Sequence, residues 1–289
     1  MPEQTIVICG LPESGKTTFL AALWHLVTSR EVPTTLRFRS LRDGDSSHLN
    51  AIASRWRNAK RQERTTVGSN RLVSMNLSDM NGAAVRLTFP DLSGESYRRM
   101  WEERDCDSRI AEILTKGQGM MLFVHADKIR RPLWVVDVIS MSKSLGLEVK
   151  AEPEVKWDPR VAPTQVQLVD LLQLLRSPPL DIGPRRIAVM LSAWDAVAAE
   201  GRTPEAFLSE RLPLLDQYLR QGAGDWTWRV FGVSAQGGEY EAENEATDKG
   251  AREEVEALRA IDQPSTRIRI VSDAGESHDL TEPISWLMR

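Results

Sequence analysis

Residues 10–17 read Gly10-Leu11-Pro12-Glu13-Ser14-Gly15-Lys16-Thr17, a match to G-x-x-x-x-G-K-[ST]. Its surroundings give the match force. Residues 4–9 are a short apolar, β-rich run, which predicts a buried strand ending at Gly10. From Lys16 onward, Phe19, Leu20, Leu23, Trp24 and Val27 recur at helical spacing, so a helix over 16–29 follows at once. Strand, glycine loop and helix in this order make a cradle for phosphate. Glycine permits a tight turn that aims backbone N–H groups at phosphate oxygens, and the helix N-terminus adds positive potential. The candidate nucleotide-binding residues here are Gly10, Glu13, Ser14, Gly15, Lys16, Thr17 and Thr18. Lys16 is expected to reach the β- and γ-phosphates, and the Thr17 hydroxyl to ligate Mg²⁺. The Lys16 ammonium is expected to have no other partner within the protein. This motif alone leaves ATPase, GTPase and kinase open.

The rest of the chain alternates strand-like and helix-like runs. Residues 36–40 alternate apolar and basic side chains, as a half-exposed strand does. Residues 47–60 place Leu49, Ile52, Ala53 and Trp56 on one helical face, and 61–69 read as a loop. Residues 71–77 and 83–89 are strand-like and flank Asp79-Met80-Asn81-Gly82, whose Asn-Gly pair signals a hairpin. The continuous apolar runs 119–124, 186–192 and 228–234 predict strands buried on both faces. Residues 163–176 read as a helix. Thr203 reads as an N-cap before Pro204, opening a helix to about Arg220, and Thr281-Glu282-Pro283 starts a terminal helix through Leu287. Together these predict an α/β fold: a mainly parallel central sheet, helices on both faces and one antiparallel hairpin strand.

Composition removes other classes. With 41% hydrophobic and 27% charged residues, disorder, collagen and coiled coil are excluded. A net charge of −4 gives no global pull toward nucleic acid. Two cysteines, Cys9 and Cys106, build neither a disulfide framework nor a metal cage, and point to a reducing, cytoplasmic setting. No signal peptide or membrane span is expected. Residues 36–71 carry nine basic against three acidic side chains, a solvated face or a dock for an acidic partner. Residues 239–256 carry eight acids and read as a solvated loop or helix near the far end of the sheet. His25, His48, His125 and His278 lack metal-ligand spacing, and His125 falls at a strand end on the pocket's edge. No G-x-S-x-G elbow occurs.

Later motifs separate the nucleotide classes. Asp91 ends an apolar strand and Gly94 follows three residues on, a D-x-x-G pattern. It resembles the third motif of Ras-like and translation-factor GTPases. The resemblance implies that Asp91 holds Mg²⁺ through water and that the Gly94 N–H senses the γ-phosphate. Glu95 stands where small GTPases carry a water-orienting Gln, and its charge repels the γ-phosphate. The loop Arg61-Gln62-Glu63-Arg64-Thr65-Thr66-Val67-Gly68 looks similar to the first switch of G-protein alpha subunits. That makes Thr65, or Thr66, a metal ligand, and Arg64 or Arg61 an arginine finger in cis. Ser192-Ala193-Trp194-Asp195 resembles N/T-K-x-D, which assigns Asp195 to guanine N1–H and N2–H₂. Ala193 replaces the lysine whose stem packs on the base. Trp194 either supplies apolar surface there or faces the core. Ser234-Ala235-Gln236 resembles the fifth motif, where a backbone N–H meets guanine O6.

Five motifs in order, over residues 5–236, resemble the P-loop GTPases of the translation-factor-related class. Residues 164–172 and 278–287 further resemble bacterial double-GTPase-type domains, found beside partner proteins in conflict or defence loci. The resemblance implies a single P-loop NTPase domain over 1–289 with insertions near 30–60 and 128–162. It implies GTP and GDP as ligands, Mg²⁺ as cofactor, Glu95, Arg64 and Lys16 as catalytic residues, and Thr17, Thr65 and Asp91 as metal ligands. A protein effector or co-encoded partner is expected, and no membrane or nucleic acid. The rival readings are a non-hydrolysing docking module and an ATPase on the same scaffold.

Overall fold

Strand β1 (Gln4–Gly10) sends Ile6 and Ile8 to one side and Val7 and Cys9 to the other, all four buried. A strand covered on both faces is apolar throughout, as this one is. The computed structural model to which it belongs describes residues 4–43, 46–62, 71–91, 100–132, 144, 158–222, 224–241 and 249–289. Seven further strands and the hairpin partner complete the sheet. They are β2 (Arg37–Asp43), β3 (Arg71–Ser78), β4 (Ala84–Asp91), β5 (Gly119–His125), β6 (Arg185–Ser192), β7 (Trp226–Ser234), β8 (Arg269–Ser272) and β9 (Gly275–Ser277). Their order is β2-β3-β4-β1-β5-β6-β7-β8-β9. The five central strands, β4 to β7 with β1 among them, run parallel. The expected hairpin strand β3 is antiparallel to β4, and β2, β8 and β9 add antiparallel edges.

Helices cover both faces. They are α1 (Lys16–Ser29), α2 (Ser46–Arg57), α3 (Ser108–Lys116), α4 (Thr164–Arg176), α5 (Asp195–Ala198), α6 (Pro204–Arg211), α7 (Pro213–Gln221), α8 (Lys249–Arg259) and α9 (Glu282–Leu287). The first face buries Ile6, Phe123 and Met190 beneath α1, α2 and α9. The second buries Val7, Leu122 and Val189 beneath α3, α4, α6 and α7. Period-two alternation along each central strand feeds both layers.

Two helices end earlier than the sequence predicts. The helix capped by Thr203, whose hydroxyl accepts from the Ala206 N–H at 3.2 Å, does not run on to Arg220. Leu212 leaves helical geometry ahead of Pro213, and a new helix starts there. Proline lacks the N–H to continue the ladder and pushes its predecessor out of the α region. Helix α2 ends at Arg57 instead of reaching 60, with Ala59 at φ 47°. The acidic run continues into α8, which packs Val255 and Leu258 on Ala59. There Arg259 donates to the Asn58 carbonyl at 2.8 Å and pairs with Glu241 at 2.5 Å. Most of the expected 128–162 insertion lies outside the described residues.

Candidate functional site

The phosphate loop begins where β1 meets β5. Gly10 sits at φ 147°, and a Cβ there would lie 2.5 Å from the Phe123 carbonyl oxygen, so only glycine lets the strands approach this closely. Gly15 takes φ 83° as the residue before α1, and a Cβ would meet the Ser192 hydroxyl at 2.8 Å. Glu13 is left-handed too, at φ 59°. Ser192, at the end of β6, donates from its hydroxyl to the Ser14 carbonyl at 2.8 Å. This contact fastens the loop to the sheet. Thr17 and Thr18 are half-buried in the first turn of α1.

Lys16 does not lack partners within the protein, contrary to expectation. Its ammonium folds back over the loop and donates to the Gly10 carbonyl at 3.0 Å, the Leu11 carbonyl at 2.7 Å and the Ser14 hydroxyl at 3.2 Å. A buried ammonium needs acceptors, and carbonyls within six residues supply them. Beneath it, burial pushes the Cys9 thiol up to about 12, with Lys16 pulling the other way, so this cysteine stays a thiol.

At the rim, the Lys128 ammonium lies 3.5 Å from the Glu13 carboxylate. His125 ends β5 on the edge of this cleft, where the sequence places it. Burial, then Lys128, holds its imidazole below the usual histidine range, while Asp127, Asp195 and Glu13 act in opposition. Its Nδ1 is buried and has no hydrogen-bond partner among the described residues.

The base-side loops follow β6 and β7. Ala193 is left-handed at φ 52°. Trp194 is buried in the core, resting on Gly232 and meeting the Phe207 ring edge-on at 5.4 Å. It therefore offers no surface to a base, which closes one of the two roles open for it. Asp195 is exposed at the start of α5, and its Oδ1 accepts from the Ser234 hydroxyl at 2.6 Å. Ser234 and Ala235 are buried at the end of β7. The Trp56 indole N–H donates to the Ala235 carbonyl at 2.8 Å, a contact the sequence reading misses. Its only signal is that Trp56 closes the apolar face of α2.

The structure thus gathers Gly10, Glu13, Ser14, Gly15, Lys16, Thr17, Thr18, Asp195, Ser234 and Ala235 at the carboxyl ends of parallel strands, where open α/β sheets place ligands. Asp91 ends β4 opposite Arg71. Arg64, Thr65, Thr66, Gly94 and Glu95 lie outside the described residues. Among the described residues no cluster of His, Cys, Asp or Glu forms a metal cage, and no helix is long and apolar enough to cross a membrane.

The profile of the Double-GTPase 1 family matches residues 7–287. The chain belongs to the Double-GTPase 1 family. The family is described as one of GTPases. No curated protein matches it. Solved structures similar to this Double-GTPase 1 chain include a bacterial selenocysteine-specific elongation factor, at 11% identity and TM-score 0.36 over 81% of this chain and 26% of that one. The GTPase-like domain of S. cerevisiae Ski7, bound to GDP and inorganic phosphate, shares 11% identity at TM-score 0.44, over 90% of this chain and 50% of that one. The small COPII coat GTPase of Encephalitozoon cuniculi, in complex with GDP, shares 12% at TM-score 0.34, over 81% and 71%. The chain spans about a quarter of the first of these and half of the second.

Proposed function

We propose that residues 1–289 form one Mg²⁺-dependent GTPase unit that hydrolyses GTP to GDP slowly and switches a partner protein. The carrying observation is that one sheet end holds both the Lys16-capped phosphate loop and the Asp195–Ser234 pair. In this reading Lys16 exchanges its loop carbonyls for the β- and γ-phosphates, while N–H groups of 13–18 face the phosphate oxygens. Asp195, steadied by Ser234, accepts from guanine N1–H and N2–H₂, a pairing adenine does not offer. The Ala235 N–H meets O6.

The donor set Thr17, Thr65 and Asp91 consists of hard oxygens, which suits Mg²⁺. Bound there, the ion would neutralise charge on the β- and γ-phosphate oxygens. Gly94 reports the γ-phosphate to its loop. Glu95 orients water, with Arg64 or Arg61 stabilising the developing charge. The output is docking of a protein effector, in the cytoplasm, in a conflict or defence setting. Glu95 favours a second reading, a module that holds GTP without turnover, because a charged carboxylate stands where small GTPases carry a neutral water-orienting Gln and repels the negative charge of the reacting γ-phosphate.

Binding of fluorescent mant-GTP and mant-ATP with and without Mg²⁺, followed by phosphate release, tests the proposal. GTP is expected to bind at least about tenfold tighter than ATP, only weakly without Mg²⁺, and to release phosphate below about 1 s⁻¹. Equal affinity for ATP would sink the guanine assignment. Absence of any release would favour the second reading.

A further inference from the structure

Ala193 leaves the base end without the lysine that its motif ordinarily supplies, yet a lysine stands at the same rim. Lys128 closes the short 3₁₀ turn Ala126–Lys128 that follows β5. That turn packs against α5, the helix that Asp195 begins. From there the Lys128 ammonium reaches Glu13, midway along the phosphate loop, at 3.5 Å. Both side chains remain about half exposed, so the lysine stem has open space beside it. His125 ends β5 directly before this turn, and Lys128, Asp127, Asp195 and Glu13 all act on its imidazole. Ala193 is left-handed and carries only a methyl side chain.

We infer that Lys128 takes the place of the missing lysine, laying its methylene stem along one face of the purine while its ammonium holds Glu13. The inference rests on the guanine-nucleotide reading above and extends it to a specificity-determining residue on a different strand. The long stem is apolar and the head is charged, so one side chain covers a ring face and ties down the loop. Glu13 gains its purpose in the same step: a carboxylate in a phosphate loop repels the ligand unless a cation is held against it. The β5 turn joins the two ends, since it packs against α5 while Lys128 reaches Glu13 in the phosphate loop.

The experiment compares wild type with Lys128→Ala in direct binding of GDP, GTP and inorganic tripolyphosphate, with folding checked by thermal melting. Lys128→Ala is expected to weaken GDP and GTP alike by about tenfold, the factor for losing a few buried methylenes, and tripolyphosphate by a smaller factor of about two to three, through the uncovered Glu13 carboxylate. The double variant Lys128→Ala, Ala193→Lys is expected to recover most of the nucleotide affinity. Unchanged GDP binding in Lys128→Ala would overturn the inference. An equal loss for tripolyphosphate would also overturn it, by confining Lys128 to the phosphate loop. Failure of the guanine reading is separate: wild type would then bind ADP as well as GDP, and Lys128→Ala would still weaken both if the stem covers a purine.

Discussion

Lys16 finds its three acceptors within six residues of chain, on Gly10, Leu11 and Ser14. Ala235, at the other end of the same cleft, is held by Trp56 from 179 residues away. The phosphate end is built mainly from consecutive residues that turn on themselves. The base end is assembled from β5, β6, β7 and α2, with Ser234 gripping Asp195 and Trp56 gripping Ala235. Even the long contact at the phosphate end, Ser192 to Ser14, only anchors a loop that already has its shape. The difference means that the two ends can be damaged separately. Phosphate affinity should depend on one stretch of eight residues. Base selectivity should depend on the packing of a helix remote in sequence.

Lys16→Ala breaks the phosphate end most severely. Affinity for GTP, ATP and tripolyphosphate should fall together by about 100-fold or more, because the loop's own cation for the β- and γ-phosphates is gone. The protein should still fold, but less tightly: the Gly10 and Leu11 carbonyls lose a charged donor, a loss of about 1–2 kcal/mol visible as a lower melting temperature. A variant that kept its tripolyphosphate affinity would end the assignment of residues 10–17.

Trp56→Phe tests the opposite end with a smaller effect. The ring stays under the Arg267 guanidinium, which stacks on Trp56 at 4.1 Å, but the indole N–H is lost. The buried Ala235 carbonyl then wants a donor, at about 1–3 kcal/mol, and the loop after β7 loosens. The ratio of GTP to ATP affinity should drop about three- to tenfold while tripolyphosphate binding stays level. Equal losses for all three ligands would show that the two ends are not held separately.

The same division explains what could be read from the sequence. The eight-residue loop, its strand and its helix are contiguous, so spacing and composition expose them. The central strands are legible because burial on both faces demands unbroken apolar runs such as 119–124. The short strands β8 and β9, of four and three residues, carry too little pattern to stand out, and the amphipathic α3 also goes unread. The break before Pro213 is a local rule that an otherwise continuous apolar face conceals. At the base end, Asp195 and Ser234 are visible through their motifs, but the bond between them is tertiary. Trp56 reads as core, and burial alone does not say that its N–H points at Ala235. Lys128 lies just past a strand end, and nothing in its neighbours announces the reach to Glu13.

The smallest test uses acid. His25 packs on the Trp56 ring with centroids 5.0 Å apart, and its Nε2 meets the Glu31 carboxylate at 3.0 Å. Burial holds the His25 imidazole below its ordinary 6.5, outweighing Glu31, and Arg57 and Arg267 add to the depression. A histidine whose native value is lowered binds fewer protons folded than unfolded. Its stabilising contribution is therefore full above pH 6.5 and is lost as the pH falls through that value. Glu31 is not the source of this loss: burial would raise its carboxyl, but hydrogen bonds from Ser265 and His25 hold it below 4.5, so it stays charged throughout. His125, also lowered, contributes a decline of the same sign from the cleft itself. Between pH 7.5 and 5.5 the wild-type melting temperature should fall, and His25→Gln, which cannot charge, should fall less. The gap isolates the share of the acid sensitivity that His25 contributes. Identical declines in the two proteins would assign that sensitivity to groups other than His25.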